Sequence, residues 1–178
     1  IEVEGFYGLF GLNELVLSNN IIKLINKRSF FGLVNLKKLD LESIFVESIE
    51  EKGFYDLHKL TELVLLRNKI KIIKKSYFFG LDILKNLNLK ENYIESIEEE
   101  GFYGLHNLTE LDLSWNRIKI IQKRSFLGLD ILKILYLSKN SIESVVEEGF
   151  YGLFNLNELD LSRNNVKIIK NISFFGLN

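Results

Sequence analysis

LTELDLSWNRIKIIQKRSFLGLDIL, residues 108–132, decides the fold. Leu108, Leu111, Leu113, Asn116, Ile118, Ile121, Phe126 and Leu129 stand at offsets 0, 3, 5, 8, 10, 13, 18 and 21, and Leu132 reopens the pattern at offset 24. Outward from this stretch, the opening Leu recurs at Leu12, Leu36, Leu60, Leu84, Leu108, Leu132 and Leu156 with no insertion or deletion. Self-similarity at a fixed period of this size marks a stacked repeat array. Offsets 3 and 5 are Leu in every turn, from Leu15 and Leu17 to Leu159 and Leu161, and offset 18 is always Phe, from Phe6 to Phe174. Offset 8 is Asn at Asn20, Asn68, Asn92, Asn116, Asn140 and Asn164, and Ile44 is the single departure.

The spacing has a physical reading. Alternate side chains of a strand point the same way, so the leucines at offsets 3 and 5 face inward and offsets 2, 4 and 6 face out. One short strand per turn, stacked in parallel, makes a continuous sheet. A buried Asn bonds backbone groups that a tight turn leaves unpaired, as buried polar groups require. The Phe column fills the opposite wall with large apolar area. No turn buries its own core, so neighbours must stack. The spacing predicts strands at offsets 2 to 6, with a partial turn at 1–11 and turns opening at 12, 36, 60, 84, 108, 132 and 156, the last incomplete. Residues 1–178 read as one elongated domain.

Composition agrees. There is no Pro-rich, Gly-rich or Ser-rich linker, and no apolar run long enough for a membrane span. The formal net charge of −1 gives no electrostatic case for nucleic acid or an anionic membrane. The expected partners are therefore a protein or other macromolecular ligand, without nucleic acid and without membrane insertion by this segment. With no Cys, the redox compartment is unread.

A second period overlies the first. VESIEEKGFYDL (46–57), IESIEEEGFYGL (94–105) and IESVVEEGFYGL (142–153) are one type, IKIIKKSYFFGL (70–81) and IKIIQKRSFLGL (118–129) the other, so the unit is a 48-residue pair. Offset 11 reads Lys23, Glu47, Lys71, Glu95, Lys119, Glu143, Lys167. With strands about 4.8 Å apart, this column forms a ladder of alternating charge. It serves as a solvated register device or as a recognition stripe.

These residues resemble the typical 24-residue leucine-rich repeat class, LxxLxLxxNxIxxIxxxxFxGL, across essentially the whole chain. The class occurs in Toll-type receptors and secreted matrix proteins. The resemblance implies a curved right-handed solenoid, with a parallel β-sheet on the concave face and an irregular or extended convex face. It also implies non-enzymatic, extracellular binding of proteins or other large ligands. The flanking cysteine-rich caps of the class are not visible, and the chain begins at offset 13 and stops at offset 22 of a turn.

Candidate sites follow. Asn107-Leu-Thr109 and Asn171-Ile-Ser173 are glycosylation sequons, but 18 Asn and 15 Ser or Thr in 178 residues predict about 1.5 by chance (18 × 15/178). His58 and His106 share an offset two turns apart, about 10 Å from strand spacing, too far for one metal ion, so no metal and no cofactor is expected. Glu14, Glu62, Glu110 and Glu158, with Asp40, Asp112 and Asp160, line the concave face. An open sheet does not enclose the water-free pocket that paired carboxylates need for catalysis. The exceptions to a polar concave face cluster: Leu66 and Arg67, then Trp115, then Ile134 and Tyr136, with Arg163 in the Trp115 column. Trp, Tyr and Arg dominate binding hot spots, so this patch is the ligand-binding candidate, although Trp115 packing on neighbouring turns explains it equally. A second functional reading is end-to-end self-association, the partial turn around Phe6 and Leu9 stacking on that around Phe174 and Leu177.

Overall fold

The computed structural model describes residues 1–177. Seven three-residue strands form one parallel sheet: β1 (Glu14–Val16), β3 (Lys38–Asp40), β5 (Glu62–Val64), β7 (Asn86–Asn88), β9 (Glu110–Asp112), β11 (Ile134–Tyr136) and β13 (Glu158–Asp160). Each pairs with the strand 24 residues on, Leu39 with Leu63 and Leu87 with Leu111. The central Leu of each strand points into the core, and its two neighbours stand on the concave face, as in the half-exposed, buried, half-exposed pattern of β9. Seven two-residue strands form on the other wall: β2 (Leu24–Ile25), β4 (Ser48–Ile49), β6 (Ile72–Ile73), β8 (Ser96–Ile97), β10 (Ile120–Ile121), β12 (Ser144–Val145) and β14 (Ile168–Ile169). Bends and turns fill the remainder, giving the expected solenoid.

From Asn68 to Asn164 the Asn column forms an unbroken polar spine along the core. Asn116 Nδ2 donates to the carbonyls of Leu89 (3.0 Å) and Leu113 (3.0 Å), and its Oδ1 accepts from Ile94 N (2.9 Å). Asn68, Asn92, Asn140 and Asn164 repeat the arrangement, so each side chain satisfies groups of two successive turns. Ile44 breaks this column and lies fully buried. The backbone replaces the missing amide: Ile22 N donates to the Ile44 carbonyl (2.7 Å), and Asn68 Oδ1 accepts from Ile44 N as well as Val46 N. This loop adjustment puts Phe45 at φ 67°, a left-handed conformation that a bulky side chain rarely adopts, and leaves its ring exposed on the flank.

The Phe column is buried and stacked, with Phe102, Phe126 and Phe150 at centroid spacings of 6.0 and 5.7 Å. The convex strands pair in three groups, β2–β4, β6–β8 and β10–β12–β14. Tyr77 marks one of the breaks. Its offset carries Gly or Ser in every other turn, and the space there is tight: a Cβ on Gly53 would approach Ile25 Cγ2 and Ile49 Cγ2 to 3.0 Å, and one on Gly101 would approach Ile97 Cγ2 to 2.9 Å. Tyr77 packs edge-on to Phe78, and the preceding Ser76 loses the positive φ of its counterparts Arg28, Lys52, Glu100 and Arg124. The break between β8 and β10 occurs with Gly101 and Ser125 at this offset, so the tyrosine is not what separates the groups.

Candidate functional site

The concave floor is built by the outward positions of the seven strands. The register sets Ile134 between Glu110 and Glu158, and Tyr136 between Asp112 and Asp160. Burial, then the charges of Glu158, Glu110, Asp112 and Asp160, holds the Tyr136 phenol above its ordinary pKa. The aspartates have local work. Asp112 Oδ1 accepts from Ser114 N (2.8 Å) and Ser114 Oγ (2.6 Å), and Asp40 and Asp160 likewise cap the amides of Glu42 and Ser162. Hydrogen bonds from the Ser162 and Ser138 hydroxyls and from Ser162 N hold Asp160 below the usual carboxylate range. The carboxylates beside Tyr136 therefore shape an acidic, solvated floor.

The edge of the sheet differs. Its column of Asn19, Ser43, Arg67, Glu91, Trp115, Lys139 and Arg163 is left-handed throughout, at φ of 54 to 61°. Asn adopts that conformation more readily than Trp. Trp115 is 48% exposed, and the Lys139 ammonium sits 3.3 Å from its ring centroid, a cation–π contact. Desolvation, then the positive charges of Arg163 and Lys90, lowers the Lys139 pKa. Arg67 is drawn away into ion pairs with Glu91 (2.9 Å) and Glu42 (3.4 Å).

The predicted patch thus divides. Trp115, with Arg163 in its column, belongs to a cationic edge; Ile134 and Tyr136 are half-buried on the acidic floor; Leu66 is half-buried two turns from Trp115, and Arg67 is committed to carboxylates. Lys139 of the next turn packs over Trp115, and nearly half of the Trp115 surface stays open. At the ends, Phe6, Phe174 and Leu177 are half-buried and Leu9 is exposed; a further repeat would cover the same faces. Asn107 and Asn171 are exposed, yet their sequons have structural uses. Thr109 Oγ1 donates to Lys85 O (3.0 Å), and Ser173 Oγ is buried against Val145 O (2.9 Å). His106 Nδ1 lies 2.9 Å from Asp130 Oδ2. The charge ladder of offset 11 closes as an ion pair only at Lys167–Glu143 (3.4 Å) among the described residues.

Sequence reasoning missed two aromatic columns. Beside the buried Phe column runs a second, exposed one, in which Tyr7 stacks on Phe31, Tyr55 on Phe79 and Tyr151 on Phe175. On the flank, Phe45 and Tyr93 alternate with Lys69 and Arg117: Lys69 Nζ lies 4.8 Å from the Phe45 ring centroid and Arg117 Cζ 4.2 Å from that of Tyr93. The first column was legible as a 24-residue recurrence and the second as a 48-residue one, once aromatics were aligned at every offset rather than at the spine alone.

The described residues contain no group of three or more His, Cys, Asp or Glu able to hold a metal ion, and no helix long and apolar enough to cross a membrane. No curated protein matches the chain in sequence. Among solved structures, a chain of the TLR13–ssRNA13 complex is 34% identical with a TM-score of 0.93, covering 99% of this chain and 25% of that one. The present chain thus spans about a quarter of the length of that relative. The finding corrects one expectation: the net charge of −1 was read as excluding nucleic acid, yet a close structural relative is a complex with single-stranded RNA. The physical reason is that net charge averages over faces, and here acid collects on the floor while Lys139, Arg163, Lys69 and Arg117 collect along one edge and flank. The leucine rich repeat family matches residues 1–43, 35–89, 58–118, 109–166 and 131–178, overlapping windows that leave no turn uncovered, and the chain belongs to that family.

Proposed function

We propose that this array is a non-enzymatic recognition module, working outside the cell or in a lumen, that grips a single-stranded nucleic acid along the edge of its concave sheet. The observation that carries the reading is Trp115, half exposed and flanked by Lys139, whose ammonium already feels the positive charge of Arg163 and Lys90. An aromatic platform among cations is the sequence-tolerant way to hold unpaired bases and their phosphates. The similar TLR13 chain, in complex with single-stranded RNA, supports the same ligand class. Anisotropy titration with a labelled oligouridine RNA tests it. Trp115→Ala should weaken binding by about tenfold or more, the value of one base–aromatic stack. No binding by the wild-type chain at low salt would sink this reading.

A second reading has its own observation: Ile134 and Tyr136 sit among Glu110, Asp112, Glu158 and Asp160, a floor complementary to a protein segment rich in Lys or Arg. Binding of an oligolysine peptide that is lost on Tyr136→Ala, with no affinity for RNA, would replace the first reading with this one.

A further inference from the structure

Outside the edge, on the flank between the concave and convex walls, an open cleft of about 610 Å³ is lined by Glu47, Ser48, Lys69, Lys71, Tyr93 and Arg117. It lies at the seam where β4 and β6 do not pair with each other. Three cations against one carboxylate give the lining a surplus of two positive charges. Among the described residues no carboxylate forms an ion pair with Lys69, Lys71 or Arg117, whereas Lys167, in the Lys71 column, is paired with Glu143. The cations are also held in place: Arg117 Cζ sits 4.2 Å from the Tyr93 ring centroid, and Lys69 rests over Phe45, the ring that the Ile44 loop turns outward. A guanidinium stacked on an aromatic ring keeps its donors free for phosphate oxygens. Arg117, in the cleft lining, is two residues from Trp115 on the same turn.

We propose that this flank cleft docks the phosphates of a single-stranded nucleic acid whose bases reach Trp115, so that the strand crosses the sheet edge and avoids the acidic floor. The proposal rests on the nucleic-acid reading above. It assigns Lys69, Lys71 and Arg117 to phosphate, and Tyr93 and Phe45 to holding those cations in place.

Salt titrations of the full chain with labelled oligouridine RNA separate the parts. Neutralising a phosphate contact on a single strand lowers the slope of log K against log salt by about 0.7. The variant Lys69→Gln/Lys71→Gln/Arg117→Gln should therefore lose about 2 from the slope, while Trp115→Ala weakens binding with the slope unchanged. Thermal melts of each variant identify any loss of fold. If wild-type RNA binding is present and the triple variant keeps the full slope, the cleft is not the phosphate site and the edge reading stands alone. If wild-type chain binds no RNA, the underlying reading fails first.

Discussion

Individual positions in this chain are judged by what their column demands. Asn116 is held by two successive turns through three hydrogen bonds, so Asn116→Ala strands buried groups and should cost about 1–3 kcal/mol in denaturant unfolding. Ile44 was legible as a defect; its remedy was not, because a sequence does not show that a backbone carbonyl will rotate inward to replace a side-chain amide. Trp115 opposes its own backbone, standing at φ 56° in a column where Asn19 is the residue suited to that conformation. Trp115→Asn should therefore leave the melting temperature unchanged or raised while RNA binding falls. A large loss of stability would show that the ring serves the fold. Asp160 offers a pH test. Its folded carboxyl titrates low because Ser162 and Ser138 donate to it, so its stabilisation is present above the ordinary carboxylate range and fades as pH falls through the depressed value. Ser162→Ala should raise the Asp160 pKa, followed by carboxyl NMR, and shrink the stability lost on acidification.

The elements divide cleanly into what periodicity fixes and what it leaves open. All seven concave strands, their register and the buried Phe column follow from Leu at offsets 3 and 5 and Phe at offset 18. The convex strands escaped because two residues give no periodic signal, and their grouping depends on local steric fit. Phe126 stacks between Phe102 and Phe150, and Phe126→Ala should cost about 3–5 kcal/mol. Lys119→Ala, in the exposed column, should leave the melting temperature nearly unchanged. Comparable losses from both would mean that inside and outside are reversed. Gly101→Ala should also destabilise, since the added Cβ meets Ile97 Cγ2 at 2.9 Å. The site was only partly visible at this scale. Trp115 was found as the lone Trp, but Lys139, Phe45, Tyr93 and Arg117 matter through contacts between turns that a linear reading does not draw.

Across the whole molecule, contacts run between nearest neighbours, so stability is a sum over turns and interfaces. Hydrogen exchange in Phe126→Ala should therefore accelerate most in the turns that contain Phe102, Phe126 and Phe150, and least in those around Leu15 and Leu39. Charge is likewise a property of arrangement: a near-zero total coexists with an acidic floor and a basic flank. The paired ion bridges on the convex side extend this to the gene. Lys75 pairs with Glu100 of the next turn, and Lys123 likewise with Glu148 of the turn that follows it. Excision of residues 84–131 would bring Lys75 against Glu148, opposite charges in an unbroken register; excision of 84–107 alone would bring it against Arg124. Unequal recombination within such a gene can therefore shorten or lengthen the protein by whole pairs while preserving its electrostatics, whereas single-turn slippage leaves a seam of like charge. Lineages that vary in copy number should differ by even counts.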